Sequence, residues 1–343
     1  MTDTPRPAGL ASEDGPGVPF AKGHGTGNDF VVLPDPQGRL DLGPDQVRAL
    51  CDRRTGVGAD GVLRVVRTTA VPGWEGEPVE AWSAGPAEWF MDYRNSDGSV
   101  AEMCGNGIRV FARYLLMAGL VDRGATTAAE GLAIGTRAGV RRVRALDDGW
   151  WEVAMGPART RPGARTVTVG GRAYPGTAVT VGNPHVVVQV ADLAHVGDLH
   201  QAPVVSPSEA DPDGVNVEFV TRRGPYGLAL RVYERGVGET RSCGTGACAA
   251  VAAMVHQTGS GAPGPDLSGP DLSGPDLSGV TPEWTVRVPG GTLRVRVDGT
   301  DQAVLAGPAV LVATGRLDPG WWAAATAAGR DRSEVGPSGR IGR

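Results

Sequence analysis

Short apolar runs broken by glycine, proline and asparagine dominate this chain, and only a few segments carry the longer period of a helix. Phe30–Leu33 reads as a strand, Pro44–Arg53 as a short helix and Gly61–Val66 as a further strand. Trp89–Tyr93 is strand-like and runs into a turn at Asn95-Ser96-Asp97-Gly98. After Cys104 the period changes. Ile108, Phe111 and Leu115 make one apolar face, Val110 and Tyr114 lie beside it, and Gly119 is a plausible stop. Short strands follow through Arg141–Val153 and at Ala178–Val181, Val186–Val190, Val215–Thr221 and Ala229–Tyr233. A second helix is expected at Ala247–His256. Thr285–Val288 and Leu293–Val297 read as a hairpin across Pro289-Gly290-Gly291.

Other stretches lack either period. Residues 1–17 are expected to be a flexible extension, with the folded region beginning near Phe20, and Thr68–Pro86 a Pro/Gly/Glu-rich surface loop. Gly264–Gly279 repeats Gly-Pro-Asp-Leu-Ser in tandem, too poor in apolar residues to bury a core, and reads as a flexible loop. Residues 330–343 are expected to be a disordered tail.

The two halves of the chain echo each other. Gly27-Asn28-Asp29-Phe30-Val31-Val32 is matched by Gly182-Asn183-Pro184-His185-Val186-Val187, and Asp60-Gly61-Val62 by Asp213-Gly214-Val215. Cys104-Gly105-Asn106-Gly107 and Cys243-Gly244-Thr245-Gly246 each precede a helix. Asn95 and Glu234 stand the same distance upstream of these cysteines, each after a strand. A duplicated unit would place two similar sites face to face across a pseudo-twofold axis.

Composition narrows the choice. The chain has 343 residues, room for two domains, with 41% apolar residues, 53 glycines and 27 prolines. A net charge of −5 with both signs interspersed argues against a nucleic-acid or membrane surface. No apolar run approaches the roughly 20 residues of a membrane span, and the N-terminal stretch lacks a signal-peptide core, so the cytoplasm is expected. Four cysteines in so long a chain are no disulfide scaffold. Lys22 is the single lysine and sits just before a glycine-rich turn. Amino-acid chemistry through a pyridoxal-phosphate Schiff base is therefore disfavoured.

The paired Cys-Gly-x-Gly segments then carry the chemistry. Glycines at a helix start allow close approach of a ligand and leave N–H groups unpaired. The helix terminus favours a carboxylate and a thiolate, and lowers a cysteine pKa from about 8.5 to about 7 or below. Two such starts face to face would clamp a carboxylate with a base on either side. Inversion of an α-carbon needs that arrangement: a thiolate on one face, a thiol on the other, and N–H donors for the developing charge. Blander readings apply elsewhere. Cys51 and Cys248 read as buried small hydrophobes, and no second Cys/His pair supports zinc at Cys243 and Cys248. His185 alone could be a structural histidine. Gly23–Gly27 lacks the Lys-Ser/Thr of a phosphate loop.

Taken together, the motifs resemble diaminopimelate epimerases. The resemblance rests on Gly25–Phe30, Gly56–Gly61, Asn95–Ser99, Met103–Gly107, Gly182–His185 and Gly214–Asn216, and most on Arg231–Thr240 running into Ser242–Ala250. It spans about Phe20 to Ala313. It implies an α+β fold of two pseudo-symmetric domains, each a β-barrel-like mixed sheet wrapped around a central helix. One domain would be 18–154 plus 305–329 and the other 155–304, the last strand returning to the first. It implies cofactor-independent interconversion of LL- and meso-2,6-diaminopimelate in lysine and peptidoglycan precursor biosynthesis, with no metal and a possible homodimer. Cys104 and Cys243 would be the acid/base pair. Asn28, Asn95, Asn183, Asn216, Glu234 and Arg235 would hold the substrate, and backbone groups at Gly105, Asn106, Gly244 and Thr245 the reacting carboxylate. His185 and Glu234 would modulate the thiols. Gly61 departs from members that carry glutamine there, so that side-chain contact is missing. Rivals on related patterns are a proline racemase-like enzyme, which lacks the Tyr-Glu-Arg-Gly segment, and a phenazine-type isomerase with a carboxylate in place of cysteine. A non-catalytic relative would have lost a cysteine.

Overall fold

The computed structural model describes residues 15–71, 87–259 and 281–334. Its strands join into one continuous mixed sheet that folds into two similar halves, each around one helix. The likeness is one of register. In the first half, Asn28–Pro34 pairs parallel with Gly61–Arg67, Phe30 opposite Gly61, and Gly61–Arg67 pairs antiparallel with Trp89–Asn95, Val62 opposite Arg94. In the second, Asn183–Gln189 pairs parallel with Asn216–Arg222, His185 opposite Asn216, and that strand pairs antiparallel with Gly227–Glu234, Val217 opposite Tyr233. Phe30 and His185 are thus equivalent positions, as are Gly61 and Asn216, Leu63 and Glu218, and the strand-ending Asn95 and Glu234.

The halves join where Trp151–Pro157 pairs antiparallel with Gln302–Gly307, Val153 opposite Leu305. After each of these strands the chain crosses over. Arg159–Thr160 pairs with Arg172–Val181, and Val310–Arg316 pairs with Pro19–Gly25.

The central helix of the first half, Gly105–Met117, packs its buried Ile108, Val110, Phe111, Tyr114 and Leu115 into the surrounding strands. It ends where Gly119 turns left-handed at φ +68°. The second central helix, Gly244–Gly259, is buried all round from Ala247 to Met254. Its alanines let strands approach on every side, as expected for a helix without a polar face. One apolar core links both helices through Val153, Met155 and Leu305.

Several expectations change. The short strands expected through Arg141–Val153 are Arg141–Ala145 and Trp151–Pro157, parted by a turn at Asp147-Asp148-Gly149, and the second runs on past Val153. The second helix starts at Gly244, on the heels of the cysteine. Thr68–Ala70 is a buried-ended helical turn, with the Thr68 hydroxyl donating to Ala87 O; the rest of the expected loop, 72–86, lies outside the described residues, as do 260–280 with the tandem repeat. Of the expected extension, 1–14 lies outside them, whereas Gly15, Pro16 and Gly17 offer their carbonyls to Arg316. The expected tail begins inside a helix: Pro319–Glu334 is started by Asp318, whose carboxylate accepts from Trp321 N, and it packs near helix Pro44–Cys51. Residues 335–343 lie outside the described set.

Candidate active site

The two cysteines occupy the same place in their halves. Cys104, in extended conformation, is the N-cap of helix Gly105–Met117, and its Sγ accepts from Gly107 N at 3.4 Å. Cys243 Sγ accepts from Gly246 N at 3.3 Å. The helix starts abut: a Cβ on Gly244 would lie 3.3 Å from Gly105 Cα, and Leu305 closes on both glycines. Only residues without a side chain permit this approach. Asn106 ties the halves, its Nδ2 donating to Ser242 O at 2.9 Å, and Arg109, fully buried, holds Asn106 Oδ1, Gly105 O and Thr26 Oγ1.

The expected lowering of the thiol pKa is overturned. Burial pushes Cys104 up to about 11, with the Glu234 charge adding to it and the Gly107 N–H working against it. Burial, then the charges of Glu234 and Glu218, push Cys243 well above the ordinary cysteine value. A helix terminus supplies partial charge, but desolvation of a whole thiolate costs more.

Polar side chains surround the thiols. The Cys104 thiol faces Asn28 Oδ1 at 3.6 Å, and Asn28 Nδ2 donates to Asp60 Oδ2 at 2.8 Å. Asp60 in turn is held by Arg53, which also grips Asp29. Asn95 Nδ2 donates to Ser99 Oγ, which fixes the end of its strand. On the other side, Thr245 Oγ1 lies 3.4 Å from Cys243 Sγ and accepts from Asn183 Nδ2 at 3.5 Å. Asn216 Oδ1 accepts from Arg235 N, and the Arg235 guanidinium donates to Asp213 O. Glu234 accepts from the Thr240 hydroxyl; burial raises its carboxyl pKa, and its charge reaches both cysteines.

His185 touches neither thiol. It is fully buried, with Nδ1 2.7 Å from Glu218 Oε1 and Nε2 2.9 Å from Asn183 Oδ1. Glu218 escaped the sequence reading, although a lone acid in the apolar run Val215–Val220 was a signal. Tyr93 also escaped it. Its ring fills the space beside Gly61, where a Cβ would meet Tyr93 Cε2 at 2.8 Å, and stacks edge-on with Phe30 at 5.9 Å. Lys22 is engaged by Asp29, 2.6 Å away.

Comparison with known proteins agrees with this geometry. The diaminopimelate epimerase family model matches residues 20–161 and 177–312. The diaminopimelate epimerase of Streptomyces coelicolor is 50% identical over 304 residues, covering 89% of this chain and 96% of that protein. That of Thermobifida fusca is 50% identical over 299 residues, covering 86% and 96%. Among solved structures, a hydroxyproline epimerase from Agrobacterium vitis superposes with TM-score 0.58 at 13% identity, over 89% of this chain and 94% of its own. A phenazine biosynthesis protein from Bacillus anthracis gives 0.56 at 15% identity, over 88% and 99%, a likeness of fold alone. With matched cysteines at abutting helix starts and relatives half identical along nearly the whole length, the chain belongs to the diaminopimelate epimerase family.

Proposed function

We propose that this protein interconverts LL- and meso-2,6-diaminopimelate without a cofactor, by passing the α-proton between Cys104 and Cys243. One observation carries the reading. Two thiols cap two helix starts that abut at Gly105 and Gly244. A carboxylate seated on the N–H groups of Gly105, Asn106, Gly244 and Thr245 would hold its α-carbon between the sulfurs. The thiolate on one face takes the proton. The charge spreads onto the carboxylate as an enediolate, which the N–H groups stabilise in a dry site, and the opposite thiol delivers its own proton. Asn28, Asn95, Asn183, Asn216, Glu234 and Arg235 would hold the remaining amino and carboxyl groups. The substrate's ammonium offsets the burial that pushes both thiols up.

The same reading takes 18–154 with 305–329 as one domain and 155–304 as the other. Their boundaries fall within the paired strands Trp151–Pro157 and Gln302–Gly307. A cytoplasmic place in lysine and peptidoglycan precursor synthesis goes with it, supported by the family and by the lack, among the described residues, of a helix long and apolar enough to cross a membrane. Homodimerisation is supported by the strand Val310–Arg316, where Val312 is 63% exposed.

The test is conversion of LL-diaminopimelate in heavy water, with isomers separated at early conversion and weighed by mass spectrometry. Meso product carrying deuterium at the inverted carbon, beside LL substrate still protiated, is the expected outcome. Product that keeps the original hydrogen sinks the two-thiol mechanism.

A further inference from the structure

The pseudo-twofold axis relates the backbones of the two half-sites but not the floors beneath them. Under the first helix start, a Cβ on Gly107 would meet Leu63 at 3.2 Å and Phe30 at 3.4 Å. Under the second, a Cβ on Gly246 would meet Glu218 Oε1 at 2.6 Å. Leu63 and Glu218 hold equivalent strand positions, as do Phe30 and His185. An apolar floor in one half is therefore a buried acid–imidazole pair in the other. Both members of that pair are fully buried, and Glu218 Oε2 has no hydrogen-bond partner among the described residues. Burying such groups is costly, and apolar residues in the same places suffice to fold the first half.

From this pair a chain of hydrogen bonds leads to one thiol only. A carboxylate can only accept, so His185 Nδ1 carries a proton and donates to Glu218. With Asn183 Oδ1 turned to the ring, Nε2 also faces an acceptor, so both ring nitrogens have oxygen acceptors as partners. Asn183 has then committed its oxygen to His185 and donates through Nδ2 to Thr245 Oγ1. The Thr245 hydroxyl, already accepting from Asn183, is placed to donate its hydrogen to Cys243 Sγ, 3.4 Å away. In the first half the polarity is reversed. Asp60 takes the Nδ2 of Asn28, so the Asn28 oxygen is presented to Cys104 and accepts from its thiol. Asn106, in the position of Thr245, donates to that same oxygen at 3.3 Å.

We infer that Glu218 is a positioning residue for Cys243: through His185, Asn183 and Thr245 it fixes a donated hydroxyl hydrogen on Sγ and so supports the thiolate of that cysteine alone. This rests on the two-thiol reading of the site. The other groups bearing on Cys243 are Glu234, at the end of the adjoining strand, and the Glu218 charge itself, both of which oppose a thiolate. Across the site, Cys104, Tyr93 and Asp60 share the field of Glu234. A thiolate in such surroundings needs a donor aimed at it, and the relay supplies one beside the Gly246 N–H.

Alkylation of Cys243 by iodoacetamide in a Cys104→Ala background tests the relay without relying on turnover, the modified residue being identified by peptide mass. Replacing Glu218→Gln leaves Nδ1 a partner but removes the carboxylate that favours hydrogens on both ring nitrogens. Asn183 then flips, and Thr245 gives its hydrogen to Asn183. At a fixed pH near 8.5 the alkylation rate is expected to fall about tenfold. Asn183→Leu, which cuts the chain and leaves the buried pair intact, should give the same fall, so a poorly folding Glu218 variant does not end the test. In a Thr245→Val background, Glu218→Gln should cause no further change. An unchanged or faster rate on Glu218→Gln or Asn183→Leu in the Thr245 protein overturns the relay, as does a further tenfold fall in the Thr245→Val background. Chiral analysis of diaminopimelate conversion is read separately: alkylation as expected without epimerisation leaves the relay standing and removes the substrate reading.

Discussion

At the scale of single residues, the site divides into groups that the sequence displays and groups that burial defines. The cysteines and the asparagines were legible because glycine-rich motifs recur around them. Glu218, Arg109 and Tyr93 were not, because what makes them matter is placement: a fully buried carboxylate, a buried guanidinium with no acidic partner among its hydrogen bonds, and a ring filling the space beside Gly61. The direction of the thiol shifts was misjudged for the same reason, since a sequence shows the helix start but not the dryness around it. Replacing Cys104→Ala or Cys243→Ala is expected to lower kcat by several orders of magnitude in the chiral assay. Cys51→Ala and Cys248→Ala should leave kcat within a small factor, because both are buried thiols that cap neither of the abutting helix starts. Activity retained by either of the first two variants would refute their assignment. The pH dependence follows from the shifts themselves. One thiol must lose its proton and burial pushes Cys104 up to about 11, so kcat/KM should still be rising above neutral pH.

Elements were read well where an apolar run or a clean alternation marks them. Gly61–Arg67 and Trp284–Val288 follow their apolar patterns closely, and the helix after Cys104 is where the change of period placed it, while the helix after Cys243 begins earlier than expected, at Gly244. Short strands such as Arg165–Val169 and Gly238–Thr240 were missed: each forms a tight hairpin with the strand beside it, Arg172–Val181 and Gly227–Glu234, and is too short to show a clear period. Helix Pro319–Glu334 was missed although Asp318-Pro319 is a start signal. The two central helices offer a test of how elements pack. A Cβ at Gly246 collides with a buried carboxylate already bonded to His185, whereas one at Gly107 presses on Leu63 and Phe30, which can give by a few tenths of an ångström. Gly246→Ala should therefore destabilise by about 2–3 kcal/mol, the upper end of overpacking, and Gly107→Ala by about 1 kcal/mol or less. Chemical denaturation of the two variants decides it, and an equal or reversed order would contradict the floors described for the half-sites.

For the whole molecule, duplication was legible in the echoed motifs, whereas the return of the last strand to the first half came only with the family resemblance, because pairing such as Val310–Arg316 with Pro19–Gly25 joins opposite ends of the chain. That closure buries titratable groups that lie far apart in sequence, and it gives the fold a pH window. On the acid side, Arg53 and Lys22 overcome burial to hold Asp29 well below the carboxylate range, and Arg94 with Arg137 lowers Asp92 against its burial. These depressed groups stabilise the fold above the unfolded carboxylate pKa, and that contribution is lost as pH falls through their folded values. On the alkaline side the sign reverses. Burial pushes Cys51 and Cys248 each to about 12 from an ordinary value near 9. Below pH 9 both states keep these protons. Above it the unfolded chain gives them up while the folded one retains them, so stability falls until the folded values are passed. Each thiol should contribute a slope of about 1.4 kcal/mol per pH unit in that interval. Urea unfolding at several pH values from neutral to strongly alkaline, with the Cys51→Ala/Cys248→Ala protein alongside, isolates these two groups from the rest. The double variant should be somewhat less stable near neutrality, for two small cavities, and should lose stability less steeply above pH 9, by up to about 3 kcal/mol per unit. Parallel curves for the two proteins would mean that these thiols are not held in the dry interior that the closed fold creates.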